Sequence, residues 1–322
     1  MPRRLTQQQS RRIAARQDDA LRDTYDDNTN TQQGLVIARY GRKILVEDEA
    51  GQRHSCHQRA NLPALVAGDE VRWITEYTGG GVVVARNPRR SVLQRPDARG
   101  QLRPVAANID LMLVVIAPQP EPHANLIDRY LVAAAHENID VALILNKADL
   151  LDHNPKVSAL AESYRDLGYP VICTGRDDPE AAAIRFVAEC RTLVLVGQSG
   201  VGKSSLIQRL LPQQDIRIGE LSEAADKGRH TTTAAELFHL PGGGRLIDSP
   251  GIREFHLHHM PADGVAQGFS EFLPYLGRCR FRDCRHREDA GCALREAVDK
   301  GNISPSRFAS YLAIVDSLEP AL

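Results

Sequence analysis

The sequence predicts a multidomain fold: an N-terminal OB-type β-barrel, a central α/β unit with a mostly parallel sheet, and a C-terminal helical unit around a cysteine cluster. Three observations predict it. Five short β-like runs, separated by Gly, Asp/Glu or Asn/Pro clusters, crowd about 55 residues from Gly34 onward. Apolar strand-like runs then alternate with helical spacings between 109 and 210. Finally, three of the six cysteines fall within the fourteen residues 279–292.

With 322 residues, 42% of them apolar, the chain can bury more than one core. Its 40 Lys+Arg balance 41 Asp+Glu, so no global field draws it to nucleic acid and any basic footprint is local. Six cysteines in a chain of this length do not make a disulfide scaffold. MPRRLTQQQSRR starts basic but has no apolar stretch after it, unlike a secretion signal. The longest apolar runs, such as LMLVVIA, are too short to cross a bilayer. The expectation is a cytoplasmic protein with no membrane partner.

Residues 1–33 run from arginines (Arg3, Arg4, Arg11, Arg12, Arg16) to aspartates (Asp18, Asp19, Asp23, Asp26, Asp27) with few apolar side chains. They read as a disordered arm, either paired with nucleic-acid phosphate or simply solvated. GLVIARY, KILVED, RHSCHQ, DEVRWIT and GGVVVARN come next. So many strands in so short a span close into a barrel over 34–95, OB-type first and SH3-like second. Basic residues recur along it, and Arg42, Lys43 and Arg72 are candidate RNA contacts, because Arg offers a planar fork to phosphate. Tyr40 and Trp73 are candidates for base stacking, with Trp73 alternatively the core plug of the barrel. RRSVLQRPDARGQLRPVAAN reads as a linker.

The central unit, 104–258, begins with IDLMLVVIA, apolar on both parities as for a strand covered on both faces. A helical spacing (126–137), VALIL (141–145), a helix (157–166), PVICTG (170–175) and a helix (181–190) succeed it. Next comes TLVLVGQSGVGKSS. Gly197, Gln198, Ser199, Gly200, Val201, Gly202, Lys203 and Ser204 match G-x-x-x-x-G-K-S between a strand and a helix, with Ser205 next. Glycines let backbone N–H groups curl inward onto phosphate oxygens, and the helix N-terminus adds positive charge. Lys203 reaches β- and γ-phosphates and the Ser204 hydroxyl ligates Mg²⁺, so the chain binds a nucleoside triphosphate.

Asn146-Lys147-Ala148-Asp149, at the end of VALIL, selects the base. A carboxylate at Asp149 accepts from guanine N1–H and the 2-amino group, and adenine has no matching donor pair. Lys147 lies along the base, Asn146 ties this loop to the phosphate loop, and N–H groups of the Cys173-Thr174-Gly175 turn meet guanine O6. Asp248, opening D-S-P-G, holds the Mg²⁺ shell, and Gly251 N–H contacts the γ-phosphate. In GRHTTT one threonine reaches the metal, Thr232 in preference to Thr231. Ile252 stands where many GTPases orient water with glutamine. Intrinsic turnover is therefore expected to be slow and to rise when a partner completes the site or repositions a group such as His230. His230 is either that catalytic group or a polar residue of its loop.

The order of these motifs is permuted: the guanine-reading loop precedes the phosphate loop by about 50 residues. Joining the old termini and cutting a distant loop leaves a core intact. The chain beyond Gly251 is thereby attached to the γ-phosphate sensor. In the last unit, 259–322, Cys279, Cys284, His286 and Cys292 form C-x4-C-x-H-x5-C, suited to tetrahedral Zn²⁺, with reduced surface cysteines as the alternative. Arg278, Arg280, Arg282, Arg285 and Arg287 surround it, of which Arg280, Arg282 and Arg285 are candidate RNA contacts. Helices are expected at 292–301 and 305–318, with core residues Leu312, Ile314, Val315 and Leu318 on the second. Cys56, Cys173 and Cys190 read as buried or inert thiols.

In this combination the sequence resembles the RsgA (YjeQ) family of circularly permuted bacterial GTPases. The resemblance spans nearly the whole chain: the barrel, NKAD (146–149), GQSGVGKSS (197–205), GRHTTT (228–233), DSPG (248–251) and the cysteine motif, in that order. It implies a factor that binds the small (30S) ribosomal subunit and its 16S rRNA late in assembly, with barrel and zinc unit on the RNA. It also implies hydrolysis of GTP to GDP and phosphate with Mg²⁺, stimulated by the ribosome, and departure afterwards. The family's Zn²⁺ ligands fall on Cys279, Cys284, His286 and Cys292, and a monomer is expected. The alternative is a non-catalytic RNA-binding module that keeps guanine nucleotide as a structural ligand. Ile252 favours that alternative, and the complete Mg²⁺ set opposes it.

Overall fold

The computed structural model describes residues 31–77, 80–97, 100–176, 181–212, 235–248 and 262–318. Five strands form the barrel: β1 (Gln32–Tyr40), β2 (Lys43–Asp48), β3 (Arg53–Gln58), β4 (Glu70–Thr75) and β5 (Gly81–Arg86). The circuit runs β1-β2-β3-β5-β4 and returns to β1, antiparallel except for the parallel β3–β5 pair, which gives the OB-type closure. β1 starts at Gln32, so Gln32 and Gln33 pair with Trp73 and Arg72 of β4 and belong to the barrel, not to the arm.

Alternation along β4 sends Val71 and Trp73 inward and leaves Arg72 half-buried between them. Trp73 is completely buried and its Nε1–H donates to the Gln33 carbonyl at 3.3 Å. A Cβ on Gly81 would stand 2.5 Å from the indole, so this glycine makes room for it. Trp73 is thus the core plug, and its base-stacking alternative is excluded. Tyr40 is half-exposed, with its hydroxyl on Glu236 at 3.2 Å.

The stretch expected as a linker is instead a hairpin, β6 (Val92–Pro96) with β7 (Leu102–Ala107), Val92 opposite Ala107. Leu93, Ala106 and Ala107 are buried, and the Val92 N–H donates to the Glu137 carboxylate at 3.0 Å. Pro and Arg in VLQRP and LRPVAA hide an inward-facing strand pattern. Arg89, one of the recurrent basic residues, forks onto buried Asp69 at 2.7 and 2.8 Å and is engaged within the fold.

The central layer contains β8 (Leu111–Ile116), α1 (Ala124–His136), β9 (Asp140–Leu145) and a 3-10 turn (Ala148–His153). Then come α2 (Pro155–Asp166), β10 (Val171–Cys173), α3 (Ala181–Ala188), β11 (Thr192–Val196), α4 (Lys203–Leu210), β12 (Glu236–His239) and β13 (Arg245–Asp248). Strands β10, β9, β8, β11 and β13 lie side by side and parallel, and β12 closes antiparallel on β13. β8 and β11 are buried along their whole length because helices cover both faces. One bridge, Ala38 to Glu236, joins β1 to β12 and makes barrel and central sheet a single run of eleven strands.

The C-terminal unit carries α5 (Ala262–Gln267), α6 (Ala293–Asp299) and α7 (Pro305–Leu318), with α7 packed on α1 and α5. Ile314 and Val315 are buried, and Leu312 and Leu318 pack partly buried on the same core. Cys56 is buried and Cys173 half-buried, whereas Cys190 is exposed, in the turn that follows α3 and not in the helix expected over 181–190. Among the described residues, no helix is long and apolar enough to cross a membrane.

One ionic node docks the C-terminal unit. Arg307 of α7, 7% exposed, pairs with Asp128 of α1 and donates Nε–H to Glu271 at 2.7 Å, and its guanidinium lies 4.4 Å from the Phe269 ring centroid. Tyr164 of α2 donates its hydroxyl to Asp128 at 2.6 Å. Burial opposes the Arg307 charge, but Glu271 and Asp128 outweigh it and hold the group above its ordinary value. Arg307→Met would strand two carboxylates in a buried site, so chemical denaturation is expected to show a loss of about 3–5 kcal/mol.

Candidate nucleotide site and metal centre

β11 delivers the chain into the glycine-rich turn, where Gly197, Gly200 and Gly202 all take positive φ. Lys203, 6% exposed, opens α4, and its Nζ donates to the Gly197 and Gln198 carbonyls at 2.6 Å each. Ser204 is half-buried in the first turn of α4, while Ser199 and Ser205 are exposed. The helix N-terminus, a loop of N–H groups and a buried ammonium therefore converge on one point, an arrangement that binds oxyanions.

The N-K-x-D loop meets this turn directly. Buried Asn146 donates Nδ2–H to the Val201 carbonyl at 2.9 Å. Its Oδ1 accepts from the Thr174 hydroxyl at 2.9 Å. A Cβ on Gly202 would lie 2.3 Å from Asn146 Nδ2, so the tie requires glycine there. Lys147 adopts a left-handed φ of 57° and donates Nζ–H to the carbonyls of Gly200 and Gln119, both at 2.7 Å. The 173–175 turn joins through Thr174 N–H to the Leu145 carbonyl at 2.8 Å and Ala148 N–H to the Thr174 carbonyl at 3.0 Å. Asp149 lies in the first turn of the 3-10 segment, exposed beside these groups.

Asp248 ends β13, which pairs Ile247 with Val194 of β11, so it lies one residue beyond that pair towards the end of the sheet from which the phosphate loop leaves β11. Ser204, Lys203, Asp248 and the 146–149 and 173–175 loops are thus gathered at the C-terminal edge of one parallel sheet, the usual ligand edge of such sheets. His230, Thr231, Thr232, Gly251 and Ile252 lie outside the described residues.

Sequence reasoning missed Arg209 on α4. Its Nη1 and Nη2 donate to the carbonyls of Gly175 and Arg176, both at 2.7 Å. No local spacing marks a side chain whose partners lie more than thirty residues earlier. The barrel also touches the central sheet, at the edge away from this site: His239 Nε2 of β12, opposite Arg245 of β13, meets Glu47 Oε1 of β2 at 2.5 Å.

In the C-terminal unit the ligand atoms of Cys279, Cys284, His286 and Cys292 lie within 4.8 Å of one another. His286 Nδ1 stands 3.5, 3.6 and 3.4 Å from the three sulfurs. A tetrahedral ion with ordinary metal–sulfur and metal–nitrogen bonds has N···S edges of about 3.6 Å. The donors fit such an ion, and the cluster can hold one metal. Burial pushes the Cys284 thiol up to about 12, with the Cys279 and Cys292 sulfurs adding to it. A central cation would favour the thiolate instead.

The RNA candidates lie at separate places. Arg42 and Lys43 are exposed at the β1–β2 turn, and Arg72 is half-buried in β4 and has an interaction of its own. Arg280, Arg282 and Arg285 are exposed around the cluster, with Arg280 5.4 Å from the Phe281 ring centroid.

Comparison with known proteins agrees with this geometry. The RsgA GTPase family model matches residues 86–258, which include both nucleotide loops. A protein of Chromohalobacter salexigens named small ribosomal subunit biogenesis GTPase RsgA is 58% identical over 88% of this chain and 86% of its own. Its namesake in Azotobacter vinelandii is 52% identical over 98% of this chain and 94% of its own. YjeQ from Thermotoga maritima superposes with a TM-score of 0.73 at 28% identity, covering 91% of this chain and all of that one. YloQ, described as a circularly permuted GTPase, gives 0.72 at 26%, covering 92% of this chain and 99% of its own. With its guanine-type loop ahead of its phosphate loop and both meeting at one sheet edge, the chain belongs to the RsgA GTPase family of circularly permuted GTP hydrolases.

Proposed function

We propose that the chain binds GTP between its N-K-x-D and phosphate loops and hydrolyses it to GDP and phosphate while engaged on the small (30S) ribosomal subunit during late assembly. The observation that carries this reading is the Asn146 side chain, which holds the base-type loop against Val201 of the phosphate loop at 2.9 Å. Asp149 would take guanine N1–H and the 2-amino group, and Lys203 would exchange the Gly197 and Gln198 carbonyls for β- and γ-phosphate oxygens. Ser204, Asp248 and Thr232 (or Thr231) are the residues to hold Mg²⁺, which would neutralise charge on the β- and γ-phosphates. Gly251 N–H would sense the γ-phosphate, and Ser205 would support the loop. Ile252 cannot polarise water, so turnover is slow until the ribosome completes the site or moves a group such as His230.

The partner reading rests on the names of the curated relatives and on the basic surface. Arg42 and Lys43 on the barrel, together with Arg280, Arg282 and Arg285 around the cysteine cluster, are suited to 16S rRNA phosphate. Three thiols and an imidazole with no oxygen donor favour Zn²⁺. A monomeric, cytoplasmic protein that leaves the subunit after hydrolysis completes the proposal.

GTP turnover is expected to rise at least about tenfold when purified small subunits are added. An unchanged steady-state rate would instead favour the non-catalytic reading. Asp149→Asn is expected to move nucleotide preference from GTP towards XTP in equilibrium binding, because the amide no longer accepts from guanine but donates to the xanthine 2-oxygen. Elemental analysis should find one zinc per chain, and Cys284→Ser should lose it together with the thermal stability of the C-terminal unit.

A further inference from the structure

Two halves of the nucleotide site are tied on one side by Asn146, and a second, unassigned tie exists on the other. Arg209 lies in the last turn of α4, the helix that starts at the phosphate loop. Its guanidinium forks onto two successive carbonyls, Gly175 and Arg176, which leave the Cys173-Thr174 turn. The Arg209 carbonyl in turn accepts from Arg185 Nη2 of α3 at 3.1 Å, so the backbone bearing the fork is braced as well.

The orientation of that turn is set by peptide geometry. In a trans peptide the N–H points opposite to the C=O it is bonded with. Holding the Gly175 carbonyl towards Arg209 therefore turns the Arg176 N–H away from it. The Thr174 N–H and carbonyl are already used by Leu145 and Ala148. Among the described residues, no acceptor meets the N–H groups of Gly175 and Arg176. These are the two donors left in the turn for a carbonyl-type oxygen of a bound base.

We infer that Arg209 is a positioning residue for recognition of guanine O6, holding the Gly175–Arg176 peptide from the phosphate-loop helix so that the Arg176 N–H is fixed in direction beside the Gly175 N–H, which the Thr174–Ala148 bond already orients. The inference rests on the reading of residues 146–149 and 173–175 as the guanine site. It makes the O6 contact depend on a residue of α4, so the phosphate half of the pocket sets the register of its base half.

The test uses the full chain with Mg²⁺ and equilibrium binding of GTP, 6-thio-GTP and ITP to wild type, Arg209→Met and Arg209→Lys. Sulfur at C6 accepts hydrogen bonds weakly, whereas ITP keeps O6 and lacks only the 2-amino group. Arg209→Met is expected to weaken GTP about tenfold and 6-thio-GTP far less, narrowing their ratio. The GTP-to-ITP ratio should stay as in wild type, because the 2-amino contact belongs to Asp149. Arg209→Lys, which has a point charge without the fork, should fall between. Equal weakening of all three nucleotides, or an unchanged GTP-to-6-thio-GTP ratio in a variant melting like wild type, would overturn the inference. Asp149→Asn measured alongside separates the two levels. If it keeps full GTP preference over XTP, the guanine-site reading itself fails. If it shifts as expected while Arg209→Met does not narrow the ratio, only the role of Arg209 fails.

Discussion

A single buried amide carries the organisation of the central domain. Asn146 is 6% exposed and spends its nitrogen on the phosphate loop and its oxygen on the Thr174 hydroxyl. Each bond adds only about 0.5–1.5 kcal/mol net, but an unpaired buried amide costs about 1–3 kcal/mol. The three loops are therefore formed together or not at all. In a permuted chain this matters more than usual, because loops more than fifty residues apart have no local force to bring them into register. Gly202 belongs to the same constraint, since any side chain there would meet the amide nitrogen.

The two outer units attach to the central domain in different ways. The C-terminal unit is held by a buried arginine between carboxylates from α1 and the 3-10 segment at 270–272, set among the rings of Phe269, Phe272 and Tyr311. Few apolar side chains lie in the loop 279–292, and an ion held by its Cys3His cluster would tie that loop together. The barrel is held more lightly, by the Ala38–Glu236 bridge, the Tyr40–Glu236 bond and the Glu47–His239 contact. All three fall on β12, whose partner β13 ends at Asp248. Barrel contacts and Asp248 thus share one β-hairpin.

The parts legible in the sequence were those with a fixed chemical spacing or a fully buried pattern. β8 and β11 could be read because helices on both faces demand apolar residues on both parities, and the phosphate, N-K-x-D and cysteine motifs because their donors must sit at set intervals. The β6–β7 hairpin was hidden because its few buried residues, Leu93, Ala106 and Ala107, show no period-two pattern among neighbouring Gln, Arg and Pro. Trp73 was ambiguous because composition does not say which face of β4 points inward, and only its register with β1 and β5 decides. Arg209 and Arg307 escaped notice for a common reason. Each acts through partners distant in sequence, and an isolated arginine on a helix usually marks a solvated face.

The bridge between β1 and β12 has a further consequence, for the sheet's behaviour when the protein is cut. An open strand edge presents unpaired amides and carbonyls that invite a foreign strand. At one end of the central sheet β10 has only three residues, too short to be an effective template. At the other end β12 would be an open border were the barrel not laid against it. The N-terminal module therefore also shields its neighbour, and a GTPase fragment trimmed of it would carry a sticky margin that the intact chain covers.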